Sequence, residues 1–170
     1  MQFIVNLSHV PSDARLCELA HGLLETVVQH NCDILKANPW IPSLADSGVR
    51  FRDEPWAVGP QRVRGGLEQF THLLEVLRRK WGDCAQLCAW RVAELRVGGW
   101  RVPESPQGED ASLRYFVRAA CPMCCPPGFP GIETLQCLDV SHPERRRAFH
   151  VEVRRPKAPF IEDPSRRFSF

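Results

Sequence analysis

Phe3, Val5 and Leu7 alternate with polar or opposite-face residues and predict a short strand. Pro11-Ser12-Asp13 then opens a helical pattern, with Leu16, Leu19, Ala20, Leu23, Leu24, Val27, Val28, Ile34 and Leu35 at helical spacing until Asn38-Pro39 ends it. Residues 39–66 hold several prolines and glycines, so they form an irregular segment with a short extended piece at Val49-Arg50-Phe51-Arg52. Long loops of this kind often carry function.

Leu67, Phe70, Leu73, Leu74 and Leu77 mark a second amphipathic helix that leads to Trp81-Gly82-Asp83-Cys84. The run Ala85 to Val97 is apolar nearly all round, with Gln86, Arg91, Glu94 and Arg96 as its polar exceptions, which is the pattern of a central buried helix. Asp83 or Gly82 can cap its start, and Gly98-Gly99 stops it. Beyond it the period falls to two: Leu113, Tyr115, Val117 and Ala119 alternate, then Ile132 to Val140 and Phe149 to Val153 do likewise.

Helices followed by strands give an α+β order. One domain over 1–170 is expected: strand and helix over 1–38, the irregular segment 39–66, helices with the cysteine turn over 67–98, and an antiparallel sheet over 99–170. The sheet region includes a cysteine-rich hairpin at 120–147.

Composition narrows the classes. The 170 residues suffice for one full core, and a net charge of +2 is too small to argue for a nucleic-acid partner. Arg145-Arg146-Arg147, Arg154-Arg155 and Arg166-Arg167 are expected as solvated strand ends and turns. The N-terminus has neither a basic n-region nor an apolar span, so a cytoplasmic protein with no membrane partner is expected. Eight cysteines without a secretory signal point to reduced thiols, a metal site or a nucleophile rather than a disulfide framework.

Cys84 stands where a nucleophile belongs. The positive end of a helix lowers a thiol pKa, and the unpaired N–H groups of a first turn can bind an oxyanion. Such a thiol needs a base, and downstream only His142 and His150 carry an imidazole. His150 is favoured because a strand would hold its ring rigidly opposite Phe149, Val151 and Val153, whereas His142 lies in a turn-like run before Pro143. Asp163 follows His150 at the distance of one hairpin return, and Pro164 biases it to extended backbone, which suits an orienting acid at the end of an adjacent strand. Glu152 competes, but strand neighbours two apart point in parallel and are poorly placed to grip Nδ1.

Cys121, Cys124, Cys137 and His142 have a spacing that invites zinc, the one cofactor considered. The other reading is a hairpin with inert core thiols around Pro126-Pro127-Gly128-Phe129-Pro130-Gly131. Cys17 and Cys88 fall on apolar helix faces as core residues.

Gly82-Asp83-Cys84, then His150-Val151-Glu152-Val153, then Asp163-Pro164-Ser165 resembles the Cys, His, Asp order of transglutaminase-like domains, the bacterial and phage branch of the papain-like cysteine fold. Pro42-Ser43-Leu44, Ser47 to Phe51, Ala89 to Arg96 and the tail Ile161 to Arg167 look like short single-domain proteins of phage and prophage gene clusters. The resemblance covers residues 39–102 and 148–170. It implies a central helix packed on an antiparallel sheet, with Cys84 as nucleophile, His150 as base and Asp163 as orienting acid. It implies a cysteine hydrolase or acyltransferase acting on a protein or peptide amide through a thioester. A second oxyanion donor would come from Trp56, Gln61 or Trp81. The family often has an acidic residue directly after the cysteine, where this chain has Ala85 and Gln86. The competing functions are a non-catalytic assembly protein whose partners are phage-like particle components, and a zinc-stabilised binding module.

Overall fold

The computed structural model describes residues 2–6, 13–52, 67–118, 148–157 and 159–167. It is mixed α and β, with small, mainly antiparallel sheets around a buried central helix.

Strand β1 (Gln2–Asn6) leads to helix α1 (Asp13–Ala37), which buries Leu24, Val27, Val28 and Leu35. Asn38 closes α1, since its backbone N–H and its Nδ2 both donate to Ile34 O at 2.9 Å, and Pro39 cannot continue the ladder. Two-residue strand β2 (Arg50–Phe51) falls inside the extended piece read from sequence.

Residues Leu67–Thr71 depart from expectation. They form strand β3, antiparallel to β1 from Gln2↔Thr71 to Asn6↔Leu67, and helix α2 is confined to Leu73–Arg79. Gln69, Phe70 and Thr71 are all buried, so this strand shows no polar alternation, and in the sequence Leu67 and Phe70 merge with the leucines of α2 into a false helical stripe. Asn31 marks the junction by accepting the Leu73 N–H at 2.9 Å.

Strand β4 (Trp81–Gly82) pairs in parallel with β2, and helix α3 (Cys84–Val97) follows at once. A side-chain β-carbon on Gly82 would lie 3.1 Å from Val76 Cγ1 and 3.2 Å from Leu87 Cδ2, so the glycine serves close packing. Leu87, Cys88, Ala89, Trp90, Val92, Ala93 and Leu95 are fully buried, which makes α3 the centre of the core. At its end Gly98 adopts φ 67°, and its N–H donates to Glu94 O at 2.7 Å.

Strands β5 (Ser112–Arg118), β6 (Ala148–Arg154) and β7 (Ile161–Glu162) form an antiparallel sheet in the order β5-β6-β7. Leu113, Val151 and Val153 are buried, and β6 packs against α3. Helix α4 (Pro164–Arg167) closes the described chain and also packs on α3. The β5-β6-β7 sheet is the antiparallel sheet expected after the helices, and two further two-stranded sheets, β1-β3 and β2-β4, lie earlier in the chain. Among the described residues, no helix is long and apolar enough to cross a membrane. The hairpin at 120–147, the alternating run Ile132 to Val140 and Arg145 to Arg147 lie outside the described residues.

Candidate active site

Cys84 is the first residue of α3, and a capping box fixes the turn before it. Asp83 Oδ1 accepts the Gln86 N–H at 2.9 Å, while Gln86 Oε1 accepts the Asp83 N–H at 3.1 Å. Asp83, not Gly82, is therefore the cap. Gln86 is 1 % exposed and further held, its Nε2 donating to Gln69 O at 2.7 Å and its Oε1 accepting from Arg79. Gln86, two residues after Cys84, thus serves the helix start. Cys84 itself is half-buried.

One turn on, Cys88 Sγ lies 3.1 Å from Val151 O. That contact fastens α3 to β6 beside His150. Burial pushes the Cys88 thiol pKa well up, and the neighbouring Cys84, Asp163, Asp83 and Glu152 push it further.

His150 stands on β6 and Asp163 directly after β7, which pairs with β6 through Val153↔Glu162 and Arg154↔Ile161. The hairpin return brings His150 Nε2 to 3.0 Å from Asp163 Oδ2. Burial alone would raise the Asp163 pKa, but hydrogen bonds from His150 and Ser165, with the His150 and Arg166 charges, outweigh it and hold the carboxyl below its ordinary value. An ionised carboxylate only accepts, so Nε2 carries a proton, and in the neutral ring Nδ1 then keeps the lone pair. The acid therefore grips Nε2, not the Nδ1 considered from sequence.

Asp163 is itself fixed. Its Oδ1 accepts the Ser165 N–H at 3.1 Å and the Ser165 hydroxyl at 2.5 Å, and Arg166 Nε lies 3.0 Å from its Oδ2. Its side chain is 10 % exposed, against 30 % for His150. Glu152 belongs to the same cluster, since one nitrogen or carboxylate oxygen from each of His150, Glu152 and Asp163 lies within 4.8 Å of the others. Such a nitrogen and carboxylate set is the kind that accepts a divalent cation, but the Asp163 oxygens are already engaged by His150, Ser165 and Arg166.

Of the three oxyanion candidates, Trp56 and Gln61 lie outside the described residues, and Trp81 is in β4 with the Arg79 guanidinium 3.8 Å above its ring. Arg79 Nε also donates to Trp81 O at 2.8 Å. Cys121, Cys124, Cys137 and His142 lie outside the described residues as well. Cys32 is buried, with Sγ 3.9 Å from Ala93 O.

Sequence reading missed an ion-pair network behind the acid. Glu162, the residue before Asp163, receives Arg91 Nε at 2.8 Å and Arg155 Nη1 at 2.5 Å. Arg155 also pairs with Glu109 at 2.5 Å and is 3 % exposed, so it is no solvated strand end. The available signal was Arg91 itself, a charge on an otherwise apolar helix. No family model, curated protein or solved structure matches this chain.

Proposed function

We propose that the chain is a transglutaminase-like cysteine hydrolase or acyltransferase with the papain-like arrangement of helix and sheet, in which Cys84, His150 and Asp163 act on an amide bond. The observation that carries this reading is the His150–Asp163 hydrogen bond through Nε2, on a strand that Cys88 fastens to the helix bearing Cys84. In the reaction, His150 Nδ1 takes the Cys84 proton and the thiolate adds to the amide carbonyl. The oxyanion is met by the Cys84 backbone N–H at the positive end of α3. As the C–N bond breaks, the imidazolium returns its proton to the leaving amine and a thioester remains. Water, activated by the same nitrogen, then adds to the thioester, and the acid and the Cys84 thiol are released. An amine in place of water gives acyl transfer. Asp163 stays ionised throughout and stabilises the imidazolium.

Alkylation of the native protein with iodoacetamide across pH, with mass-spectrometric location of the adduct, tests the proposal. Cys84 reacts well below the ordinary thiol pKa of about 8.5, and His150→Ala removes that reactivity. A Cys84 that stays inert, or whose labelling is unchanged by His150→Ala, overturns catalysis and favours the non-catalytic assembly protein.

A further inference from the structure

Cys84, Cys88 and Arg91 are spaced as i, i+4 and i+7, so they share one stripe of α3. The first is the proposed nucleophile, and the second touches β6 at Val151. The third reaches β7: Arg91 donates from Nε to Glu162 Oε2 at 2.8 Å and from Nη2 to Glu162 Oε1 at 3.3 Å, a forked contact. Nη2 also meets Glu104 Oε1 at 2.7 Å.

This fork matters because β7 is only two residues long. Two register pairs hold the end of a strand weakly, and Asp163 is the next residue. The Glu162 side chain replaces the missing ladder. It is clasped from the α3 side by Arg91 and from the end of β6 by Arg155, itself tied to Glu109. With side chains 12 % and 16 % exposed, Arg91 and Glu162 are shielded from the solvent that loosens surface pairs.

We infer that the Arg91–Glu162 pair positions Asp163, and through it the His150 ring, against the start of the helix that carries Cys84. Both are positioning residues: they touch the reacting groups only through Asp163. The inference rests on the triad reading, and its direct readout is His150 rather than turnover.

Nitrogen NMR of the His150 tautomer, run beside the Cys84 alkylation rate, tests it in the full chain. The variants are Arg91→Met, Arg91→Lys and Glu162→Gln, with Arg96→Met as control. Arg96 lies on the same helix but pairs with Glu25 of α1 and donates from Nε to Ala111 O at 2.8 Å, so its loss removes an ion pair without touching Glu162 or the acid. In the wild type the Nε2–H tautomer dominates. Arg91→Met and Glu162→Gln reduce that excess and slow Cys84 alkylation near neutral pH by roughly ten- to a hundredfold, Arg91→Lys restores part of both, and Arg96→Met lowers the melting temperature alone.

Arg91→Lys and Glu162→Gln keep a polar head of similar reach, so they decide the matter if Arg91→Met does not fold. An unchanged tautomer in the folded variants, or an equal shift in Arg96→Met, overturns the inference. A wild-type Cys84 with ordinary thiol reactivity, combined with a tautomer that still responds to Arg91 and Glu162, sinks the triad reading and leaves the positioning intact.

Discussion

The sulfur of Cys88 sits 3.1 Å from the carbonyl oxygen of Val151, joining the second turn of α3 to the strand residue next to His150. Burial keeps this thiol protonated and therefore a donor. Cys88→Ala strands the buried carbonyl and should cost about 1–2 kcal/mol in denaturant melts, whereas Cys88→Ser keeps the bond and loses less. Labelling has a matching pattern. Cys32 and Cys88 are buried, and burial raises both pKa values, so of Cys32, Cys84 and Cys88 only Cys84 is alkylated at neutral pH in the folded protein.

Asp163→Asn tests the acid twice over. The amide can donate to Nε2 instead of accepting from it and so favours the wrong tautomer, which should slow Cys84 chemistry by roughly 10²–10⁴-fold in alkylation or amide hydrolysis. For stability, the folded pKa of Asp163 lies below its unfolded value of about 3.9, so the contribution is full above that value and is lost as pH falls through the folded pKa. Acid titration of the two proteins should show curves that converge at low pH.

Asp83→Ala removes the cap and half of the capping box at the turn that presents Cys84. A loss of about 1 kcal/mol is expected, and Asp83→Asn should recover most of it in thermal melts.

Gly82→Ala probes the same turn by sterics. The added methyl group meets Val76, Leu87 and Gln86 Oε1 at 3.1–3.3 Å, and about 1–3 kcal/mol of overpacking is expected by denaturant titration.

Glu94 gives the opposite pH signature to Asp163. It is 1 % exposed, accepts the Leu44 N–H at 2.5 Å, and burial raises its pKa to about 7 against the lowering influence of Leu44 and Arg91. The folded state therefore holds this proton more tightly than the unfolded chain. Its contribution is present below the unfolded pKa of about 4.3 and is lost as pH rises to about 7, on the order of 3 kcal/mol in all. Glu94→Gln, which keeps an oxygen acceptor for Leu44, should flatten that part of the stability curve.

Local signals made much of this legible. The long apolar stripe and the Asn38-Pro39 stop mark α1, the Asp83 turn marks the start of α3, and Asp163 before proline lies at the end of β7 as expected. The rest depends on partners far away in sequence. Leu67–Thr71 is a strand because β1, more than sixty residues earlier, pairs with it, and no local period reports that pairing. Arg91 and Glu162 are 71 residues apart, so neither residue announces the other. The grip on Nε2 follows from how the hairpin returns, which spacing does not encode.

Successive turns of α3 are fastened to different neighbours: Gln86 to β3, Cys88 to β6, Arg91 to β7, Glu94 to the Leu44 loop and Arg96 to α1. Inserting or deleting one residue between Gln86 and Arg96 would turn the remainder of the helix by about 100° and shift it about 1.5 Å, misdirecting the fastenings beyond that point together. The length of this helix is thus far less open to evolutionary change than its surface composition, and insertions that survive selection will be found in the connecting loops.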